Sequence, residues 1–168
     1  MRFERLTNSS DPMFLTAMDL YWSCFGLPAQ REYLSQCSIM DESDYNFLLI
    51  REDGEIAGLC LCWETENFIY VEHLCLAHAF RGKGIAAAAL EELCGGGKTV
   101  ILEADATKGQ AEYFVRRGFE INGFDHSHPS YHMMFPGRNL TVMSYPYPLE
   151  DEEYEEFNDY LRNAVMAQ

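Results

Sequence analysis

The run Arg81-Gly82-Lys83-Gly84-Ile85-Ala86 gathers two cations and two glycines in one short segment. That combination suits an anion. Glycine lets the backbone turn tightly and approach a ligand closely, and the side chains of Arg81 and Lys83 can add charge-assisted hydrogen bonds. The flanking segments say where this happens. Phe68 to Leu76 is apolar and β-rich: Phe68, Ile69, Tyr70, Val71, then Leu74 and Leu76. Ile85 to Cys94 is built from Ala, Leu and Glu, which are good helix formers. The glycines therefore fall where a strand turns into a helix. The first helical turn has N–H groups without intrahelical partners, at the positive end of the macrodipole. This is a seat for phosphate, and the chain is expected to hold a phosphorylated cofactor there.

Two other groupings invite a metal, and neither is expected to hold one. Asp125-His126-Ser127-His128-Pro129-Ser130-Tyr131-His132 carries three histidines, but no nearby cysteine completes a ligand set and Pro129 suggests a loop. Cys60, Cys62, His73 and Cys75 can meet on adjacent strands. Strand-alternating cysteines are usually packing, because cysteine is among the most buried residue types.

The elements around these residues follow from periodicity and punctuation. Arg2–Leu6 reads as a strand. Asp11-Pro12 starts a helix, with Phe14, Ala17, Met18, Tyr21, Trp22 and Phe25 at helical spacing. Gly26-Leu27-Pro28 breaks it, and Ala29–Gln36 is a second helix. Asn46–Ile50 and Ile56–Trp63 form a hairpin about Glu52-Asp53-Gly54-Glu55. Phe68–Leu76, the helix Ile85–Cys94 and the strand-like Thr99–Ala104 follow, and Gly95-Gly96-Gly97 ends that helix. Asn139–Tyr145 closes the sheet. Pro146 and Pro148 separate residues 149–168 from the domain of residues 1–148. In that tail Tyr154, Phe157, Tyr160, Leu161 and Val165 recur at helical spacing, which predicts an amphipathic helix docked on the domain or used as a dimer contact.

A Walker-type loop is excluded, because Gly84 is followed by Ile85 and no Ser or Thr hydroxyl is placed to hold magnesium. Gly82-x-Gly84-x-x-Ala87 also fits a dinucleotide fingerprint, with Glu103 as the acidic residue downstream. That fold needs several βαβ units in series, and the sequence offers one. Arg81-x-x-Gly84-x-Ala86, five residues past the strand end at Leu76, instead resembles the acetyl-CoA pyrophosphate loop of the GNAT acyltransferases. Ala111-Glu112-Tyr113-Phe114-Val115-Arg116-Arg117-Gly118-Phe119 resembles that family's downstream helix and its Gly-Phe exit into a strand. The two motifs stand in the family's order, and the likeness runs roughly from Arg2 to Tyr145.

The resemblance implies an α/β fold with a mixed, mostly antiparallel central sheet flanked by helices, here with an added C-terminal helix. It implies acetyl transfer from acetyl-CoA to a primary amine by direct attack. The pantetheine arm would lie on Leu74, Cys75 and Leu76, and the pyrophosphate on Arg81, Gly82, Lys83, Gly84, Ile85 and Ala86, with Ala87 extending the turn. Glu72 is the expected base. As the strand would alternate, it shares a face with Tyr70, Leu74 and Leu76 while His73 points to the other, and burial raises its pKa to a useful range. The family's usual tyrosine acid falls on Phe114, a cofactor-binding position here. Tyr113 is one residue away, which turns a helical side chain by about 100°. Tyr113, Tyr131, Tyr145 or water then serves as acid. An acyl-CoA-binding module with little catalysis and a dinucleotide-binding domain stand as alternative readings.

Composition narrows the partners. The chain has 168 residues, is 48% hydrophobic and 23% charged, and suits one domain with a sizeable core. Its net charge of −15 repels nucleic acid and fits a cationic substrate such as an amine. Part of that charge is local to Glu150, Asp151, Glu152, Glu153, Glu155, Glu156 and Asp159. There is no signal-peptide core and no membrane-spanning run. Six cysteines without an export signal read as free thiols. The expected location is the cytoplasm.

Overall fold

Strand β3 (Glu55–Glu64) is buried on both faces, and the architecture follows from that. Leu59, Leu61 and Trp63 enter one apolar cluster while Cys60 and Cys62 enter another, so each face of the sheet needs its own cover. The computed structural model describes residues 1–167. Its main sheet has seven strands in the order β1 (Arg2–Leu6), β2 (Tyr45–Glu52), β3, β4 (Phe68–Leu76), β5 (Thr99–Ala104), β9 (Thr141–Tyr145), β6 (Glu120–Ile121). Two short strands, β7 (Ser127–His128) and β8 (Arg138–Asn139), form a separate ribbon. Among the described residues every pairing is antiparallel except β4 with β5.

Helices α1 (Phe14–Cys24), α2 (Tyr33–Ile39) and α5 (Asp151–Tyr160) cover the first face. Helices α3 (Ile85–Cys94) and α4 (Gln110–Val115) cover the second. The Ala/Leu pattern of α3 buries Ile85, Ala89, Leu90 and Leu93 against Val71, Val100 and Leu102. A capping box between Glu150 and Glu153 starts α5. Its apolar face, Phe157 with Leu161 and Val165 of the wider turn that follows, joins the cluster of Phe14, Met18 and Tyr70. No helix among the described residues is long and apolar enough to cross a membrane.

Three elements differ from expectation, the first being α1, which starts at Phe14 with Met13 at its N-cap and not at Asp11-Pro12. The second helix spans Tyr33–Ile39, not Ala29–Gln36, and Leu27–Ala29 is a separate tight turn. Between them Gln30 and Glu32 stay extended, and the Arg31 N–H is given to the Tyr21 hydroxyl at 2.8 Å. A long-range contact thus overrides local helix propensity. Asn139 belongs to β8, paired with Ser127, and the closing strand begins at Thr141.

Candidate active site

The parallel pair β4–β5 is joined only over Phe68–Val71 and Thr99–Leu102. Beyond that, β4 runs on to Leu76 bonded to β3 alone, while β5 turns toward β9. The sheet forks. A cleft of about 460 Å³ opens there, with Arg81 at one end, Leu74, Cys75 and Leu76 along one wall, and Tyr113 and Phe114 on the other. At the far end lie Glu72, His73, Glu103, His128 and Tyr131. One cavity thus gathers residues from the strand, the loop and the downstream helix.

The loop has the geometry its glycines predict. Gly82 and Gly84 both have φ of +77°, the left-handed region. Gly84 stands at the N-cap of α3 without a side-chain cap, so the first helical N–H groups stay open. Arg81 Nε donates to the Leu76 carbonyl at 3.2 Å, tying the loop to the end of β4. Lys83 Nζ lies 5.6 Å from the Phe80 ring centre. Ile85 is buried beneath the first turn, while Ala86 and Ala87 stay half-exposed above it. Ala87 borders a separate shallow depression with Arg116 and Tyr145.

Strand β4 is bulged at Glu72. Leu61 pairs with His73 and Cys62 with Val71, so Glu72 is the extra residue. The bulge corrects the expected alternation. Glu72 shares a face with Tyr70 as predicted, but Leu74 and Leu76 pack on the opposite side, and His73 faces the same way as Glu72. Two consecutive polar side chains therefore reach one end of the cleft.

Glu72 also departs from its expected electrostatics. It accepts from Arg31 Nη2 at 2.8 Å, Trp63 Nε1 at 2.8 Å and the Tyr131 hydroxyl at 2.5 Å. Burial alone would raise its pKa. The Arg31 guanidinium, then His73, Tyr131 and Trp63, outweigh that and hold it down at about 2. A carboxylate this weakly basic is poorly matched to abstracting a proton near neutral pH. Arg31 is itself buried, bonds the Val165 carbonyl at 2.9 Å and lies 5.5 Å from the Tyr131 ring centre. Burial and the Glu72 charge push the Tyr131 pKa well up, and its proton is committed to Glu72, which leaves it a poor acid for a leaving thiolate.

Tyr113 and Phe114 both line the cleft, their rings 5.3 Å apart and edge to face. The one-residue shift therefore does not remove Tyr113 from it. Tyr145 packs on Phe119 on the α3–α4 side, away from the cleft.

Arg31 and Cys24 gave no signal in the sequence, and Glu103 and His126 were marked there for other roles. Glu103 accepts from the Tyr70 hydroxyl, and its other oxygen lies 2.6 Å from His126 Nε2. His126 Nδ1 lies 2.7 Å from the Tyr154 hydroxyl of α5. Burial would raise the Glu103 pKa; the His126 hydrogen bond, the electrostatic contributions of His128 and His126, and the Tyr70 hydroxyl turn the shift downward. Glu103 thus faces away from α3, where a dinucleotide-binding acid has no ribose to meet. The three loop histidines also part company: His126 goes to Glu103, His128 to the Pro129 carbonyl at 2.7 Å, and His132 to the Gln30 carbonyl at 2.8 Å. Cys24, the last residue of α1, lines the cleft near Cys75. A hydrogen bond from Cys75 foremost, with Ser23 and Arg81, outweighs burial and lowers its pKa to about 6.

Comparison with known proteins agrees with this arrangement. The profile of the acetyltransferase (GNAT) family matches residues 14–119. A protein from Bacteroides thetaiotaomicron assigned to the GNAT family superposes with a TM-score of 0.89 at 22% identity, covering 100% of this chain and 99% of that one. Arabidopsis thaliana Naa50, in complex with the bisubstrate analogue CoA-Ac-MVNAL, gives a TM-score of 0.61 at 14% identity, over 88% of this chain and 100% of that one. A GNAT family acetyltransferase from Elizabethkingia anophelis with acetyl-CoA bound gives 0.59 at 13% identity, over 85% and 95%. Comparison with curated protein sequences finds no significant match. The family profile spans most of the chain, including the forked strands, the glycine loop and the helix behind it, and the chain belongs to the GNAT family of acetyltransferases.

Proposed function

We propose that this protein transfers the acetyl group of acetyl-CoA directly to a primary amine of a small molecule or peptide. The fork between β4 and β5 carries the reading, because it runs from an open helix N-terminus to a buried polar end. The pyrophosphate of CoA fits the loop from Arg81 to Ala86, with Ala87 extending the turn. The pantetheine arm lies along Leu74, Cys75 and Leu76, on the edge of β4 that β5 leaves unpaired. Phe114 supplies apolar contact from the far wall. The thioester then stands near Glu72, where a β4 backbone N–H can receive the negative charge that develops on its oxygen. The Glu72 charge is balanced by Arg31, so the preference for a cationic substrate rests on the charge of the whole chain. Tyr113 is the hydroxyl best placed to protonate the leaving thiolate.

The bisubstrate analogue held by Naa50 belongs to that protein and does not name the amine here. The supporting feature is the net charge of −15. The six cysteines are all free, which suits action in the cytoplasm.

The test is a thermal-shift titration with acetyl-CoA, CoA and NAD(P)H side by side. A ligand that binds only the folded state at 100 times its Kd adds about 2.7 kcal/mol. The expected result is a rise in Tm with the CoA species alone, followed by thiol release with some member of an amine panel. No shift with CoA would overturn the reading. Binding without turnover across the panel would favour the alternative that Phe114 motivates, an acyl-CoA-binding module with little catalysis.

A further inference from the structure

With Glu72 held by three donors and Glu103 by two, neither cleft carboxylate is free to take a proton. Two imidazoles at the same end of the cleft are different. His73 is 5% exposed and His128 is 2% exposed, and both line the cavity. His73 Nε2 lies 2.8 Å from the Ala29 carbonyl oxygen. A carbonyl only accepts, so Nε2 carries the proton and Nδ1 of the neutral ring is an acceptor. His128 Nδ1 stands in the same relation to the Pro129 carbonyl, which makes Nε2 its acceptor atom. Both acceptor atoms, His73 Nδ1 and His128 Nε2, are buried without a hydrogen-bond partner among the described residues.

An unpaired buried acceptor carries a desolvation penalty that a donor can relieve. Two of them lining one cleft, with opposite tautomers each fixed by a carbonyl, look like a receptor for N–H groups. The Tyr131 ring lies between them, stacked on His73 at 5.8 Å and tilted against His128 at 4.9 Å. Gly137 holds His128 in place from behind: a Cβ there would sit 2.8 Å from the His128 carbonyl oxygen.

Resting on the acetyl-transfer reading, we infer that His73 Nδ1 and His128 Nε2 together seat the acceptor amine, and that His73 takes the proton it gives up. The amine nitrogen forms a bond to the thioester carbonyl carbon. The C–S bond breaks, and its electron pair leaves with the CoA sulfur, which is protonated from solvent or by Tyr113. The N–H proton released from nitrogen passes to His73 Nδ1. The bulge at Glu72 makes this possible, because a regular strand would turn His73 to the opposite face. Burial lowers the His73 pKa, with Arg31 and His128 acting the same way and Glu72 and the Ala29 carbonyl against it, so the ring is neutral and ready at pH 7. Tyr21 of α1 and Tyr131 also face His73, and Glu103 of β5 and Tyr131 face His128.

His73→Gln keeps a donor for Ala29 and removes the Nδ1 acceptor; His128→Asn does the same for Pro129 and Nε2. The expected result for His73→Gln is a kcat reduced by about 100-fold or more, with the acetyl-CoA thermal shift intact. Wild-type kcat rises with pH through a value below 6.5, and that limb disappears in the variant. For His128→Asn the amine KM rises by about tenfold, the loss of one neutral hydrogen bond. A kcat for His73→Gln within about threefold of wild type overturns the assignment. Two-bond ¹H–¹⁵N NMR of the ligand-free protein at pH 7 tests the site without any turnover. His73 should appear as the Nε2–H tautomer and His128 as the Nδ1–H tautomer. The reverse tautomers, or a protonated His73, overturn the inference even if acetyl-CoA binds, whereas failure of acetyl-CoA to bind removes the transfer reading and leaves the tautomers as measured.

Discussion

Glu72 is one half of a buried ion pair, with its carboxylate committed to three donors. Its side chain and that of Arg31 are 1% and 2% exposed, and each is the other's counter-ion. Removing one partner of a buried pair typically costs about 3–5 kcal/mol, because the other is left charged and unpaired. Glu72→Gln is therefore expected to lower Tm by roughly 6–20 °C in a chain of this size, read by thermal denaturation; an unchanged Tm would refute the structural role. The pH dependence has a definite sign. The carboxyl titrates near 4.5 when free and at about 2 in the fold, so its stabilisation is complete above pH 4.5 and fades as pH falls toward 2. Acid unfolding should be less steep over that window in Glu72→Gln. The sequence marked Glu72 as unusual, an acid in an apolar strand. It could not supply Arg31, since that partner is 41 residues away and comes to Glu72 only when the segment before α2 folds over β4.

Cys24 gives a second residue-scale prediction. Its lowered pKa and half-exposed position should make it the first of the six cysteines to react with iodoacetamide at pH 7. Burial and the neighbouring Cys24 push Cys75 up and make it slow. Saturating acetyl-CoA should protect Cys24, as mass spectrometry of the labelled peptides would report. Labelling that ignores acetyl-CoA would place the pantetheine elsewhere.

At the scale of elements, the central question is how β4 both holds the sheet and frees an edge. Gly58 of β3 answers part of it. A Cβ there would lie 2.2 Å from the Cys75 carbonyl oxygen and 2.7 Å from Leu76 Cδ2. Only glycine lets β3 come this close to the cleft end of β4. Gly58→Ala should push Cys75 and Leu76 outward, lowering Tm and weakening acetyl-CoA binding together. In contrast, a Cβ at Gly84 meets nothing within 4 Å, but its φ of +77° strains any other residue by about 1–2 kcal/mol. Gly84→Asp adds a negative charge at the helix N-terminus proposed to seat the pyrophosphate. It should reduce acetyl-CoA affinity by at least about tenfold while Tm falls little. Calorimetric titration of both variants separates the two effects; unchanged affinity in Gly84→Asp would remove the loop from the site. The loop and α3 were legible because glycine, cation and helix former speak locally. Gly58 was silent, since its reason lies on the next strand.

For the whole molecule, the tail helix is part of the site's foundation. Phe157, Leu161 and Val165 are fully buried, the Val165 carbonyl receives Arg31, and the Tyr154 hydroxyl meets His126. Deleting residues 150–168 should therefore lower Tm sharply and expose apolar surface, seen as dye binding, rather than simply shorten the chain. A truncated protein with native Tm and full acetyl-CoA affinity would show the tail to be an appendage. The sequence by itself determined the order of elements, the glycine loop between strand and helix, the amphipathic tail helix and hence the family, because each is written in residues a few positions apart. It placed most strand and helix limits, such as Phe68–Leu76 and Ile85–Cys94, on periodicity alone. Only the tertiary structure decided the bulge that turns His73 into the cleft, the ion pair that disarms Glu72, and the linkage of Glu103, His126 and Tyr154. These depend on pairing register and on contacts between distant segments, where burial and neighbouring charge, not residue type, set what a side chain can do.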